Sequence, residues 1–176
     1  MPRMSTRERL KNLVHFICRE CETDPSRLGK VKLHKIIYYS DLYRLRTKAT
    51  PITGVTFVKY PFGPFVPEID EVLLELQKEG KLHIIPRDEY NEYDSIGLVG
   101  KGAPNLQDFE DREISIVREQ INEICPQTAT YISDKSHGPI WQLTEMYAPM
   151  PILAEIAYNL IQITDEDVTY AGSLPE

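Results

Sequence analysis

Apolar residues return every three or four positions over much of this chain, and shorter stretches rich in β-branched and aromatic residues interrupt them. The first periodic stretch runs from about Ser5 to Glu22. Wheeled at about 100° per residue, Leu10, Leu13, Val14, Ile17, Cys18 and Cys21 share one broad face, which predicts an amphipathic helix. Ser5 and Glu8 form an S-x-x-E pattern, in which each side chain can bond an unpaired backbone N–H of the opening turn. The second stretch, about Gly29 to Lys48, is apolar on two opposed sides. Val31, Tyr38, Leu42 and Leu45 lie on one side, and Leu33, Ile36, Ile37 and Tyr43 on the other. A helix of that kind packs between layers, so it is predicted to be the central one.

Val55 to Tyr60 has the composition of a strand. It runs into Pro61-Phe62-Gly63-Pro64-Phe65-Val66-Pro67, where the prolines hold the backbone extended and Gly63 permits an unusual turn. Pro67 suits the first position of a helix that ends near Glu79, with Gly80 after it and Ile69, Val72, Leu73 and Leu76 facing inward. Leu82 to Pro86 and Tyr93 to Val99 predict two antiparallel strands around a polar loop, Arg87 to Glu92. The order of elements partly matches a winged helix, with one helix missing. Asp108 is placed to cap a helix running to Cys125, and Thr128 to Asp134 and Pro139 to Tyr147 predict two short helices. Ile152 to Ile163 fits either helix or extended chain, and Thr164 to Glu176 is a polar tail. The expectation is an α+β, mainly helical single domain over residues 1–163, with about six helices and a small three-stranded antiparallel sheet.

Composition narrows the function. Of 176 residues, 20 are Lys or Arg and 27 are Asp or Glu, a net charge of −7. An acidic balance is poor footing for a nucleic-acid binder and leaves a basic protein partner open. No apolar run is long enough to span a membrane, and the charged N-terminus lacks the apolar core of a secretory signal, so a cytoplasmic location is expected. Cys18 and Cys21 point with the core aliphatics, and no zinc-ligand spacing follows them. Together with Cys125 they are read as buried and structural, with a redox or metal role as the alternative. His15, His34, His83 and His137 occur in no ligand spacing, no phosphate loop is present, and no cofactor is expected.

Several residues admit two readings. Residues 27–48 carry seven Lys or Arg against one Asp, either as solvated charges beside a core helix or as a nucleic-acid module with the hairpin as its wing. Glu68, Glu71, Glu75 and Glu79 line the outer face of their helix, as a solubilising surface or as an acidic strip for a basic partner. Tyr60, Phe62 and Phe65 flank a stiff turn, as core filling or as binding anchors. His137 lies near a helix N-terminus, which favours its neutral form. It is expected to bridge two segments, with Trp141 beside it one turn on and Asp41 or Tyr38 on the far side. The enzymatic alternative is a hydrolase centred on His137 with Asp41 or Asp134, for which no nucleophile motif is visible.

Three segments together resemble a known family. They are Lys32-Leu33-His34-Lys35-Ile36-Ile37-Tyr38-Tyr39-Ser40-Asp41, then Thr56 to Pro67 with Gly63-Pro64 within it, then Ser136-His137-Gly138-Pro139-Ile140-Trp141. In this order they look like the Panacea, or SocA-like antitoxin, domain. That family typically shows a K-L-x-K helix start followed by apolar residues and a tyrosine, an aromatic strand ending near Y/F-G-P, and a later S-H-x-x-x-W. The resemblance implies an antitoxin of a bacterial or phage toxin–antitoxin pair that binds a cognate protein toxin directly. One branch resembles adaptors that deliver the toxin to an ATP-dependent protease. It implies mainly structural roles for Lys32, Leu33, Lys35, Tyr38, Asp41, Gly63, Pro64, Ser136, His137 and Trp141.

Overall fold

The Ser5 hydroxyl accepts from the Glu8 N–H and Glu8 reaches back to the Ser5 N–H, so the capping box opens α1 (Thr6–Glu20) as predicted. The computed structural model describes residues 4–86 and 96–160. After α1, a single 3-10 turn (Pro25–Arg27) leads into α2 (Lys30–Lys48). Both sides of α2 are covered, and it packs against α4 (Asp111–Ile124), α5 (Ala129–Lys135) and α7 (Ile152–Leu160). It is the central helix that its two apolar sides predict. Leu13, Ile17, Leu33, Ile36, Ile37, Val117 and Ile124 meet in one core.

The sheet differs from expectation in its strands. β1 (Phe57–Tyr60) is the middle strand of three, in the order β2-β1-β5, with β2 (Gly63–Phe65) and β5 (Pro149–Met150) antiparallel to it. The register pairs Tyr60 with Gly63, Val58 with Phe65, and Phe57 with Met150. Gly63-Pro64-Phe65 is predicted as extended backbone beyond the strand, with a turn at Gly63. It is an edge strand, where a proline without an N–H costs the ladder little. The hairpin β3 (Leu82–Pro86) and β4 (Ile96–Gly100) forms a separate two-stranded sheet that lies against α1, not against β1. The predicted loop at 87–92, the predicted strand start at 93–95, residues 161–163 and the tail at 164–176 lie outside the described residues.

Three helix ends move for identifiable reasons. α3 (Ile69–Lys78) begins two residues after Pro67, with the Val72 N–H bonded to the Glu68 carbonyl. α4 is capped by Glu110, whose side chain and that of Glu113 bond each other's backbone N–H groups. Asp108 instead accepts from the Met4 N–H at 2.8 Å. α6 (Pro139–Leu143) stops four residues short of Tyr147. The Lys59 ammonium donates to the Thr144 carbonyl at 2.8 Å, and the Tyr147 N–H donates to the Lys59 carbonyl, so the chain is drawn onto β1. Residues 152–160 are helical. Seven α-helices and two small antiparallel sheets among the described residues make the protein α+β and mainly helical.

Candidate functional site: a motif junction and its aromatic rim

Lys35 projects from the middle of α2 into the protein and is 2% exposed. Its ammonium donates to the Pro64 carbonyl at 3.0 Å. Burial pushes its pKa down to about 7, because the charged form loses its water and gains little in return. Above it Gly63 adopts φ +94°. A Cβ there would collide with the Ser136 hydroxyl and stand 2.9 Å from the Lys35 ammonium, so only glycine closes this contact. Ser136, at the C-terminal end of α5, donates to the Ser133 carbonyl at 2.6 Å.

His137 follows directly. Its ring stacks on Trp141 with centroids 3.7 Å apart and 14° between planes. Its pKa is lowered, first by burial and then by the positive Lys35, while Asp134 and the Pro61 backbone pull the other way. The neutral imidazole expected from a helix end has burial as its cause. The Trp141 indole N–H donates to the Tyr60 carbonyl at 3.0 Å, and the Lys59 ammonium lies 4.2 Å from the indole ring centroid. The His137 ring meets the Pro61 backbone of the β1–β2 turn and neither Asp41 nor Tyr38. Asp41 is engaged elsewhere: it accepts from the Ile52 and Thr53 N–H groups at 2.9 and 2.8 Å and from the Thr53 hydroxyl at 2.5 Å. Burial pushes its carboxyl up to about 6 against the pull of those bonds. Tyr38 is buried, edge-on to Phe57 and Tyr39.

Three distant segments thus interlock around one glycine. The family model described as Antitoxin SocA-like, Panacea domain matches residues 33–142, more than half of the chain and nearly all of those segments. The chain belongs to the SocA-like Panacea family. Comparisons with curated proteins and with solved structures gave no match. Family membership places the protein among the antitoxin-like partners of toxin–antitoxin systems. Among the described residues no helix is long and apolar enough to cross a membrane, and no His/Cys/Asp/Glu group could hold a metal ion.

In this Panacea protein three of the six cations of α2, Lys32, Lys35 and Arg44, are turned inward. Lys32, Leu33 and Lys35 are all buried. Lys32 donates to the carbonyls of Arg27 and Cys125, each at 3.0 Å. Arg44 pairs with Glu110 at 2.8 Å, and Lys30 with Asp70 at 2.5 Å. With Lys35 on Pro64, four of the seven cations between residues 27 and 48 serve protein groups. The helix does not present one basic stripe to phosphates.

The glutamate row is also occupied. Arg7 of α1 pairs with Glu71 at 3.1 Å and Glu75 at 2.5 Å. Lys11 pairs with Glu75 at 3.5 Å and with Glu79, and Lys81 reaches Glu79 at 2.8 Å. Those cations hold Glu79 down at about 2, led by its hydrogen bond from Lys11. Glu68 is the first residue of the α3 entry turn. The row is a ladder joining α3 to α1, with its charge largely compensated.

The aromatic turn is partly core and partly rim. Tyr60 stacks on Phe65 at 4.2 Å and 17°, and Phe65 in turn packs on the His34 ring at 4.2 Å. His34 accepts from the Val66 N–H at 3.1 Å, which pins the strand exit. Phe62, at the tip, is 41% exposed. Tyr60 also meets Tyr147 edge-on at 5.2 Å. Tyr147 is 63% exposed and has φ +66°; it shares the loop after α6 with Met146 (45%), and Leu143 (77%) is the last residue of that helix. These three went unremarked in the sequence because they fall in a stretch read as helix. Their signal was apolar side chains with no partner at helical spacing.

Proposed function

We propose that this Panacea protein is an antitoxin that acts in the cytoplasm by binding its cognate protein toxin directly, without covalent chemistry. Family membership supports the toxin–antitoxin setting. The observation that carries the contact itself is the exposed apolar rim of Phe62, Leu143, Met146 and Tyr147 beside the motif junction. Large apolar side chains left in water on a stiff frame suit a protein interface, since little side-chain entropy remains to be lost on docking. The frame is stiff because Lys59, Trp141 and Lys35 each bond a backbone carbonyl of this region. The partner-binding residues proposed are Tyr60, Phe62 and Phe65 with the segment 143–147, the end of α6 and the loop after it. The Glu68, Glu71, Glu75 and Glu79 row plays a steering part for a basic toxin, which would compete with Arg7, Lys11 and Lys81 for it.

The alternatives have less behind them. A hydrolase centred on His137 needs a nucleophile in contact with the imidazole, and the Ser136 hydroxyl is turned to the Ser133 carbonyl instead. A nucleic-acid module would need one basic stripe along α2, and three of that helix's six cations face inward.

The test is binding of the purified chain to the protein encoded beside it whose expression is toxic. Combined F62A, L143A and Y147A raises the Kd at least about tenfold, which is about 1.4 kcal/mol, and leaves the Tm unchanged. Combined E71Q, E75Q and E79Q slows association at low salt, and the difference vanishes at high salt. Unchanged affinity in the apolar triple variant removes this face from the proposal.

A further inference from the structure

Cys21 and Cys125 stand 104 positions apart in the sequence, yet their sulfurs are 3.6 Å apart. Each occupies the C-terminal cap of its helix, α1 for Cys21 and α4 for Cys125. A polar cleft of about 100 Å³, lined by Glu20, Cys21, Arg27, Arg118, Ile121 and Asn122, opens beside Cys21. A water molecule needs only about 10–15 Å³ of such space, so a small polar oxidant fits. Helix C-termini disfavour a thiolate. Here cations oppose that effect: Lys32 bonds the Cys125 carbonyl at 3.0 Å, and Arg27 lines the cleft.

The two thiols differ in their access to the cleft: Cys21 lines it beside Arg27 and Arg118, and Cys125 does not. Either thiol can donate the bond between them. Contact with the Cys125 thiol and burial push the Cys21 thiol up, and Arg27 opposes them. Cys18, one turn earlier on α1, is fully buried and its thiol is pushed up by burial alone.

We propose that Cys21 and Cys125 form a peroxide-reactive thiol pair, with Cys21, the sulfur that lines the cleft, attacking and Cys125 resolving. The Cys21 thiolate attacks one oxygen of hydrogen peroxide. The S–O bond forms, the O–O bond breaks, and the departing hydroxide takes up the proton that Cys21 released, leaving as water. The Cys125 sulfur then attacks the sulfenic sulfur. The S–S bond forms, and the expelled hydroxyl leaves as a second water with the Cys125 proton. Two thiols lose two electrons in all, and one peroxide becomes two waters. The sulfurs close from 3.6 Å to a bond of about 2.05 Å, a movement within reach of side-chain rotation at two helix ends. The product staples the end of α1 to the end of α4.

The test needs no toxin, so it is independent of the proposed function. The purified full chain is treated with a small excess of hydrogen peroxide, alkylated, digested without reductant and mapped by mass spectrometry. The expected result is a Cys21–Cys125 linked peptide that dithiothreitol dissolves, with Cys18 alkylated only after unfolding. In C125S, dimedone labels Cys21, whereas in C21S Cys125 takes no label; C18S still forms the link. Unmodified thiols, a link through Cys18, links only between chains, or Cys21 oxidised to sulfinate without a link overturn the proposal. The wild-type map decides the matter even where a variant fails to fold.

Discussion

Gly63 shows how much one residue can fix. Its positive φ and the absence of a Cβ let the β1–β2 turn lie against the Ser136 hydroxyl and the Lys35 ammonium. Gly63→Ala must both strain the backbone and displace a buried contact, so it lowers stability by about 2–4 kcal/mol in urea unfolding. Gly80→Ala, at a similar φ with nothing near its Cβ, bears only the backbone strain and costs less. Lys35 carries a pH signature. Its pKa is about 7 in the folded chain against an ordinary 10.5, so in that interval the unfolded chain holds a proton that the folded chain has lost. The Lys35 contribution to stability is fully favourable above 10.5 and falls as pH drops through 7. The stability of Lys35→Met relative to wild type should therefore decline by about 1 kcal/mol per pH unit from about pH 7 to 9. A difference independent of pH would show that Lys35 keeps its ordinary basicity. At this scale the sequence spoke clearly about His137 and Trp141, because a spacing of four residues across a turn brings side chains together. It misplaced Asp41 opposite His137, because its actual partners Ile52 and Thr53 lie on a loop with no periodic pattern.

Helices announced themselves where one repeat governed a long stretch. The two-sided pattern of α2 translated directly into a helix covered on both sides. The short strands did not: β2 contains a proline and β5 has two residues, so neither could show a period. The α1–α3 ladder was hidden for another reason. Nothing in the spacing of Arg7 and Lys11 points to a partner, and only docking of the helices sets them against Glu71, Glu75 and Glu79. Exposed pairs of this kind add little to folding. Replacing Arg7 and Lys11 by Gln should leave the urea midpoint nearly unchanged while exposing the acidic row. Association with a basic toxin should then become faster at low salt, as measured by stopped flow. The Cys21–Cys125 contact was equally illegible, since Cys21 read only with its neighbour Cys18.

The whole molecule explains why three weak motifs make one family mark. Lys35, the Gly63-Pro64 turn and the Ser136 to Trp141 segment come from separate elements and lock together at a single junction. The net charge of −7, the burial of Lys32, Lys35 and Arg44 on α2, and the exposed rim beside the junction all favour a protein partner over a nucleic acid. The central claim is that this Panacea protein occupies its toxin and leaves it chemically intact. Titrating the toxin with the purified chain, while following residual toxin activity, tests it most directly. Activity should fall linearly to zero at a fixed stoichiometric ratio, and toxin released from the complex by denaturation and refolding should recover in full. Inactivation by a small fraction of an equivalent, or recovered toxin bearing a covalent change, would contradict it.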